Sequence, residues 1–420
     1  MNSFSKTKAN FTLIIISKLL IAALLIGLLS SFLAISLKQS TEYFEKAFFL
    51  KAEGNWIYLL FFPTIGLTLI YFLRQYLFKQ KANKGITEIF DVTQSKSKNL
   101  PLYKIPSHFI NGLLTVVFGG STGIEVSTVV ATAAIGNTAQ RKEKVLSRYK
   151  TELICAGITA GITILFGSPI AGLLFSAEVI TKKINRVFIT TNGIALMVAL
   201  AILSILDEKP LFHVAITTWH LKAIPYFIVL GLLAGLHSVY LTKSVLFFKS
   251  LFRQQSHWQK ILFGGVILSI CLILYPELYG DGYHAIESIF SESGQVITST
   301  LTLIGIILLK PLITSATLVA GGDGGVFAPS LFIGAFLGFL TATLLNTFFA
   351  TDVIVINFVI LGMSAVLSAS IHAPFTALFL VCGMIADYTL FFPLLLVCFV
   401  AKYAAKMVFP YNVYNYSATQ

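Results

Sequence analysis

A chain of 420 residues in which 56% are hydrophobic and only 11% charged is not a soluble domain; the composition is that of a polytopic membrane protein. The net charge of +12 does not indicate a nucleic-acid partner, because the basic residues fall in short gaps between apolar runs and carry no nucleic-acid-binding motif. The four cysteines, Cys155, Cys271, Cys382 and Cys398, lie inside apolar runs without metal-ligand spacing. They read as small buried hydrophobes, so neither a metal site nor a disulfide framework is expected.

Lys6 and Lys8 precede a first apolar run over 11–37. It is too long for a signal-peptide core and is expected to stay as a membrane helix leaving the cytoplasm. A near-neutral gap at 38–55 follows, then a return span over 56–77. The gap 78–104 holds Lys79, Lys81, Lys84, Lys96, Lys98 and Lys104, which places it on the cytoplasmic side. Residues 105–140 leave and come back, because Arg141, Lys142, Lys144, Arg148 and Lys150 are again basic. Each arm of this excursion has about 14 residues, or roughly 21 Å of helix, short of a ~30 Å hydrocarbon core. The spans 149–166 and 168–181 form a second pair broken at Gly167, Ser168 and Pro169. Residues 187–206 then cross outward to Asp207 and Glu208.

In the second half, 223–245 re-enters and 261–275 crosses outward. The gap 276–296 carries Glu277, Asp281, Glu287 and Glu292 with no Lys or Arg and is expected outside. Apolar spans follow at 297–320, 326–348, 353–371, 373–386 and 388–409. The fold class expected is an all-α polytopic membrane protein with broken, re-entrant helices.

Two stretches punctuate these spans. Residues 119–127 read GGSTGIEVS and 321–330 read GGDGGVFAPS. Gly119, Gly120, Gly123 and Ile124 align with Gly321, Gly322, Gly325 and Val326, which sets Glu125 opposite Phe327. Downstream, SPIAGLLF (168–175) resembles APFTALFL (373–380). The offset is 202 residues at the glycines (Gly119 to Gly321) and 205 at the prolines (Pro169 to Pro374). So steady an offset marks a duplicated unit, divided as 1–206 and 207–420 with no soluble regulatory domain expected. The first glycine stretch is approached from the basic side and the second from the acidic side, so the repeats are inverted. In such transporters the substrate site lies at the repeat interface near the midplane.

Each glycine stretch opens a helix. The first turn of a helix leaves N–H groups unpaired at the positive end of its dipole. Two such ends converging, from the helices expected over Val126–Gly136 and Val326–Leu340, make an anion site from backbone alone, with Gly123, Ile124 and Gly325 at the breaks where the anion would approach. Glu125 sits in that place. An intramembrane carboxylate is costly and therefore functional by default, and here it competes with a mobile anion for the same donors. Its protonation would vacate the site.

At these residues the chain resembles the CLC family of chloride channels and chloride/proton exchangers. Lys310, Thr314 and GGDGGVFAPSLFIGAFLG (321–338) are similar to the family's GK-x-x-x-T and GGxFxP elements, with Leu309 in place of the first Gly. GGSTGIEVS resembles its GREGP element; Glu125 takes the gating glutamate's place, while Ile124, Val126 and Ser127 replace the Arg, Gly and Pro. SPIAGLLFSAE (168–178) resembles the NAPLAG…E segment. NKGIT (83–87) matches the GSGIP loop and sets Lys84 where the family has an anion-coordinating Ser. Tyr414, with Tyr411 and Tyr416 as competitors, matches the pore tyrosine. The resemblance implies a central chloride held by the N–H groups of Val326 and Phe327 and the Tyr414 hydroxyl. It also implies a homodimer in the cell membrane and no cofactor beyond the bound chloride. The exchangers' inner proton glutamate corresponds to Val179, beside Glu178; valine binds no proton, so a channel or weakly coupled exchanger is expected rather than a tightly coupled one.

Other readings compete. The same architecture suits fluoride, nitrate or a small carboxylate. GGSTG also satisfies G-x-S-x-G, so a serine hydrolase pairing Ser121 with His237 is a remote alternative. Glu178 reads equally as a structural partner of Lys182, and Lys310 as a cation that snorkels, satisfies helix-end carbonyls or, less expected, contacts the anion directly. His372 reads as a helix-break residue.

Overall fold

The computed structural model describes residues 2–79, 83–95, 97–291 and 299–416. Lys81, Lys96 and Glu292, counted above among the gap charges, lie outside the described residues, as do the side chains of Lys6, Lys8, Lys142 and Lys144. Every long element is helical. Nine helices among the described residues are long and apolar enough to cross a membrane.

The first helix corrects the sequence reading. α1 runs from Asn2 to Gly54, so the gap expected at 38–55 is helix. No glycine or proline interrupts 28–53, and Ala, Glu, Lys and Leu are good helix formers. Its charges find partners in other elements instead of a loop: Lys38 Nζ lies 2.8 Å from Glu208, and Glu45 is buried. Asn55 then caps α2 (Trp56–Phe72), accepting the Ile57 N–H at 3.0 Å, and a π-turn over Leu73–Leu77 carries α2 to its end. The basic gap holds a short helix, α3 (Ile86–Gln94).

The first broken pair is α4 (Lys104–Val117) and α5 (Glu125–Lys142), of 14 and 18 residues. The second is α6 (Lys150–Phe166) and α7 (Pro169–Leu174), α7 continuing as a π-turn to Thr181. α8 spans Arg186–Leu206, α9 Ile224–Leu251 and α10 His257–Leu274. The acidic gap contains α11 (Tyr283–Ser291). Then come α12 (Thr300–Val319), α13 (Phe327–Phe349), α14 (Val355–Ile371), α15 (Pro374–Ile385) and α16 (Phe391–Val408).

The same crossing recurs in both halves. α5 packs on α6 and α13 on α14, and each crossing closes on a glycine. A Cβ at Gly136 would overlap the Leu153 carbonyl, and one at Gly338 the Phe358 carbonyl. Small residues let helix backbones approach where lipid offers no hydrophobic drive. Gly136 and Gly338 are again 202 apart. α7 and α15 meet where Ser168 Oγ donates to the Phe379 carbonyl at 2.7 Å. These crossings bring the starts of α5 and α13 together at the centre of the protein.

Candidate functional site

The two breaks are built alike. After α4 the chain turns at Gly119 (φ +80), and after α12 at Gly321 (φ +100), a conformation that favours glycine. The Gly120 N–H donates to the Thr115 carbonyl at 2.8 Å and the Gly322 N–H to the Thr317 carbonyl at 2.9 Å. The threonine hydroxyls then cross between the halves: Ser121 N–H donates to Thr317 Oγ1 at 3.1 Å, and Asp323 N–H to Thr115 Oγ1 at 2.9 Å. At the centre, Gly123 and Gly325 pair with each other as an isolated antiparallel β-bridge. Residues equivalent in the two halves thus exchange equivalent bonds, as inverted repeats require.

The bridge delivers Glu125 and Phe327 to the first positions of α5 and α13, whose first-turn N–H groups lack intrahelical acceptors. Ile124 and Val326 are the residues just before them. The Glu125 side chain is 1% exposed. Its carboxylate lies over Gly123, in the space a Cβ there would fill. Oε1 accepts a hydrogen bond from the Tyr283 hydroxyl at 2.6 Å. Oε2 has no hydrogen-bond partner among the described residues; the N–H groups of Glu125 and Ala328 act on the carboxylate at longer range. A second buried polar atom is equally unpaired: the Tyr414 hydroxyl, which reaches towards the Val326 N–H and stands against Gly325. Phe327 packs between Phe175 and Tyr414, with ring centroids at 5.6 and 6.5 Å. Tyr411 and Tyr416 stack instead on Phe409 and on each other, so Tyr414 is the tyrosine at the site.

A cavity of about 170 Å³ reaches this point, lined by Gly325, Val326 and Tyr414 and by Lys84 of the NKGIT loop. Arg74 and Lys249 also line it, which the sequence reading did not single out. Gly85 (φ +63) turns the NKGIT loop into α3, and the Lys84 N–H donates to Glu88 Oε1 at 2.7 Å. Asp323, missed as a site residue, is tied to His108 Nδ1 at 3.0 Å and Asn83 Nδ2 at 2.8 Å, with Arg74 at 4.0 Å. The repeat alone marks its position, since Ser121 and Asp323 are 202 apart.

On the opposite side, Lys310 is fully buried and donates to the carbonyls of Leu278 (3.1 Å) and Gly280 (3.2 Å). It satisfies carbonyls, one of the roles its position allowed. Glu178 Oε2 accepts from Thr376 N–H at 2.9 Å and Oγ1 at 2.8 Å. It caps α15 instead of pairing with Lys182. Val179 is buried in the π-turn after α7. His372 ends α14 in a left-handed conformation (φ 58). Ser121 Oγ bonds Thr314 at 3.0 Å and His237 Nε2 the Ile307 carbonyl at 3.1 Å, so the pair weighed for a hydrolase is not formed.

The comparisons with known proteins agree with this fold. A protein of Salmonella typhimurium named voltage-gated ClC-type chloride channel ClcB is 28% identical over 340 residues, covering 79% of this chain and 77% of the relative. The crystal structure of a slow cyanobacterial Cl-/H+ antiporter superposes with a TM-score of 0.83 at 22% identity, covering 96% of this chain and 97% of that one. A CLC-type fluoride/proton antiporter superposes at 0.80 with 24% identity, covering 95% and 97%. The profile of the family described as voltage gated chloride channel matches residues 65–406, and the chain belongs to that family.

Proposed function

We propose that this protein moves chloride and similar small monovalent anions across the membrane through a pore gated by Glu125. The observation that carries the proposal is the pair of buried, unpaired polar atoms, Glu125 Oε2 and the Tyr414 hydroxyl, at the converging starts of α5 and α13. A buried polar atom without a partner is costly unless a ligand completes it. Chloride resting between the Tyr414 hydroxyl and the N–H groups of Val326 and Phe327 would complete one; Gly123, Ile124 and Gly325 leave it room. Lys84 in the lining of the same cavity raises the local anion concentration. The pore is divided between halves 1–206 and 207–420, with the N-terminus cytoplasmic and two copies per assembly.

Transport is channel-like or weakly coupled to protons. Val179 offers no proton acceptor, and Glu178 is occupied at the start of α15. Liposomes with a fixed chloride gradient and a roughly tenfold proton gradient test this. The zero-current voltage is expected to stay near the chloride equilibrium potential; a strong displacement towards the proton potential would refute the channel-like reading. Failure to move chloride, bromide, nitrate or fluoride above empty vesicles would refute the transport reading itself.

A further inference from the structure

We infer that Tyr283 is a positioning residue for the gate, its hydroxyl latching the ionised Glu125 carboxylate in the place an anion would occupy. The inference rests on the gating role proposed for Glu125 and adds to it a residue from outside both glycine breaks. Tyr283 donates to Glu125 Oε1 at 2.6 Å. A phenol that donates to a carboxylate favours its charged form, so this bond works against the desolvation of the gate and holds the carboxylate in place.

The segment that presents Tyr283 is held from several directions. Lys310 Nζ binds the carbonyls of Leu278 and Gly280. Glu45 on α1 accepts the Asp281 N–H at 3.3 Å, and Asp281 Oδ1 accepts the Tyr283 N–H at 2.9 Å, capping α11. Gly280 and Gly282 turn the chain with φ of +58 and +85, and at Gly282 a side chain would overlap the Phe332 ring. The Tyr283 ring itself rests edge-on against Phe212, with centroids 5.9 Å apart. A phenylalanine would fill that seat as well, so the hydroxyl is the part that serves Glu125. Lys310, Glu45 and Asp281, three buried ionisable groups, thereby hold one neutral hydroxyl on the gate. The titratable groups facing Glu125 are Tyr283 and Asp281 from the acidic gap and Tyr414 from the C-terminal segment. Those facing Tyr283 are Glu125, Asp281 and Glu45. Tyr283 also lines an outer cavity of about 480 Å³ with Glu42, Glu53 and Glu287, so it stands between that cavity and the gate.

Infrared titration of the full-length protein in lipid tests the latch without requiring transport. The protonated carboxyl band of Glu125 is identified by its loss in Glu125→Gln. In Tyr283→Phe that band is expected to emerge at a pH about one to two units higher than in the parent, the shift that follows from losing a hydrogen bond to a charged group. Ring-fluorinated tyrosine at 283 keeps the shape and donates more strongly, and is expected to move the band to lower pH; it also covers the case in which the Phe variant does not fold. A band that stays put in either folded variant overturns the latch. In chloride efflux, Tyr283→Phe is expected to shift the pH profile to the alkaline side and to add nothing in a Glu125→Gln background; an equal shift in that background would also overturn it. If the parent carries no anion, the proposed function fails while the infrared result still decides the latch.

Discussion

At the first glycine break the helix opens on Glu125; at the second, 202 residues later, it opens on Phe327. The glycines, the self-closing threonines and the crossed hydroxyl bonds are common to both. What differs is the charge. The first break carries its carboxylate on the helix, aimed into the site; the second carries its carboxylate on the turn, at Asp323, where His108, Asn83 and Arg74 enclose it. The backbone frame therefore belongs to the duplicated unit, and the chemistry to the residues that broke the symmetry. One carboxylate is left with an unpaired oxygen and a single side-chain partner, Tyr283; the other is enclosed by three partners.

If that division is right, the largest stability effect belongs to the turn. Asp323→Ala strands His108 and part of Arg74 in a buried site, and removing one member of a buried charged pair costs about 3–5 kcal/mol. Ser121→Ala, at the equivalent place, loses only a neutral bond to Thr314, about 1 kcal/mol. Thermal unfolding in detergent should rank them in that order; equal losses would mean that the Asp323 cluster is not a structural lock.

The gate comes next. Glu125→Gln removes the charge that competes with the anion. Efflux of the parent is expected to fall as pH rises and Glu125 ionises, whereas the variant should keep its flux, about tenfold above the parent at alkaline pH. A folded variant with the parent's pH profile would show that Glu125 is not the gate.

A matched pair of substitutions sharpens the comparison further. Alanine at Gly123 places a methyl where the Glu125 carboxylate lies, and alanine at Gly325 places one against Val126 and 3.0 Å from the Tyr414 hydroxyl. Neither glycine has a positive φ, so the backbone tolerates both. Gly123→Ala should displace the gate and raise flux at alkaline pH several-fold. Gly325→Ala should narrow the anion's own place and lower flux several-fold at every pH. Effects of the same sign would contradict the division of roles between the breaks.

Much of this was legible in the sequence because it rests on local rules. Glycine pairs, hydrophobic runs and basic gaps located the breaks, the repeat and Glu125. The 38–55 gap was misread because charge density suggested solvent, whereas Lys38 and Glu45 are satisfied by Glu208 and Asp281 from other elements. Tyr283, His108 and Asn83 were missed for the same reason. Each acts through a partner 158 to 240 residues away, and no spacing rule reaches that far. Tyr414 could not be separated from Tyr411 and Tyr416 until packing placed only one of them beside Val326.

The smallest effect is expected where the two cavities differ. The cavity that reaches Tyr414 is lined by Arg74, Lys84 and Lys249 against one acid, Asp323. The one behind Tyr283 is lined by Glu42, Glu45, Glu53, Glu208, Asp281 and Glu287 against three lysines, Lys38, Lys46 and Lys209. An anion approaching the start of α13 from the Lys84 side is attracted by the exposed cations Lys84 and Lys249, whose field water screens. A unit charge about 6 Å away in a water-like medium contributes about 0.7 kcal/mol, or roughly threefold in affinity. Salt weakens it further, because the screening length is only ~3 Å at 1 M. Lys84→Ser should therefore weaken chloride binding about threefold by calorimetry at low ionic strength, Lys84→Arg should restore it, and the difference should fade when a non-binding salt is added. Equal affinity of the parent and Lys84→Ser at low salt would show that Lys84 lines the cavity without acting on the anion, leaving the backbone of α13 and the Tyr414 hydroxyl to hold it alone.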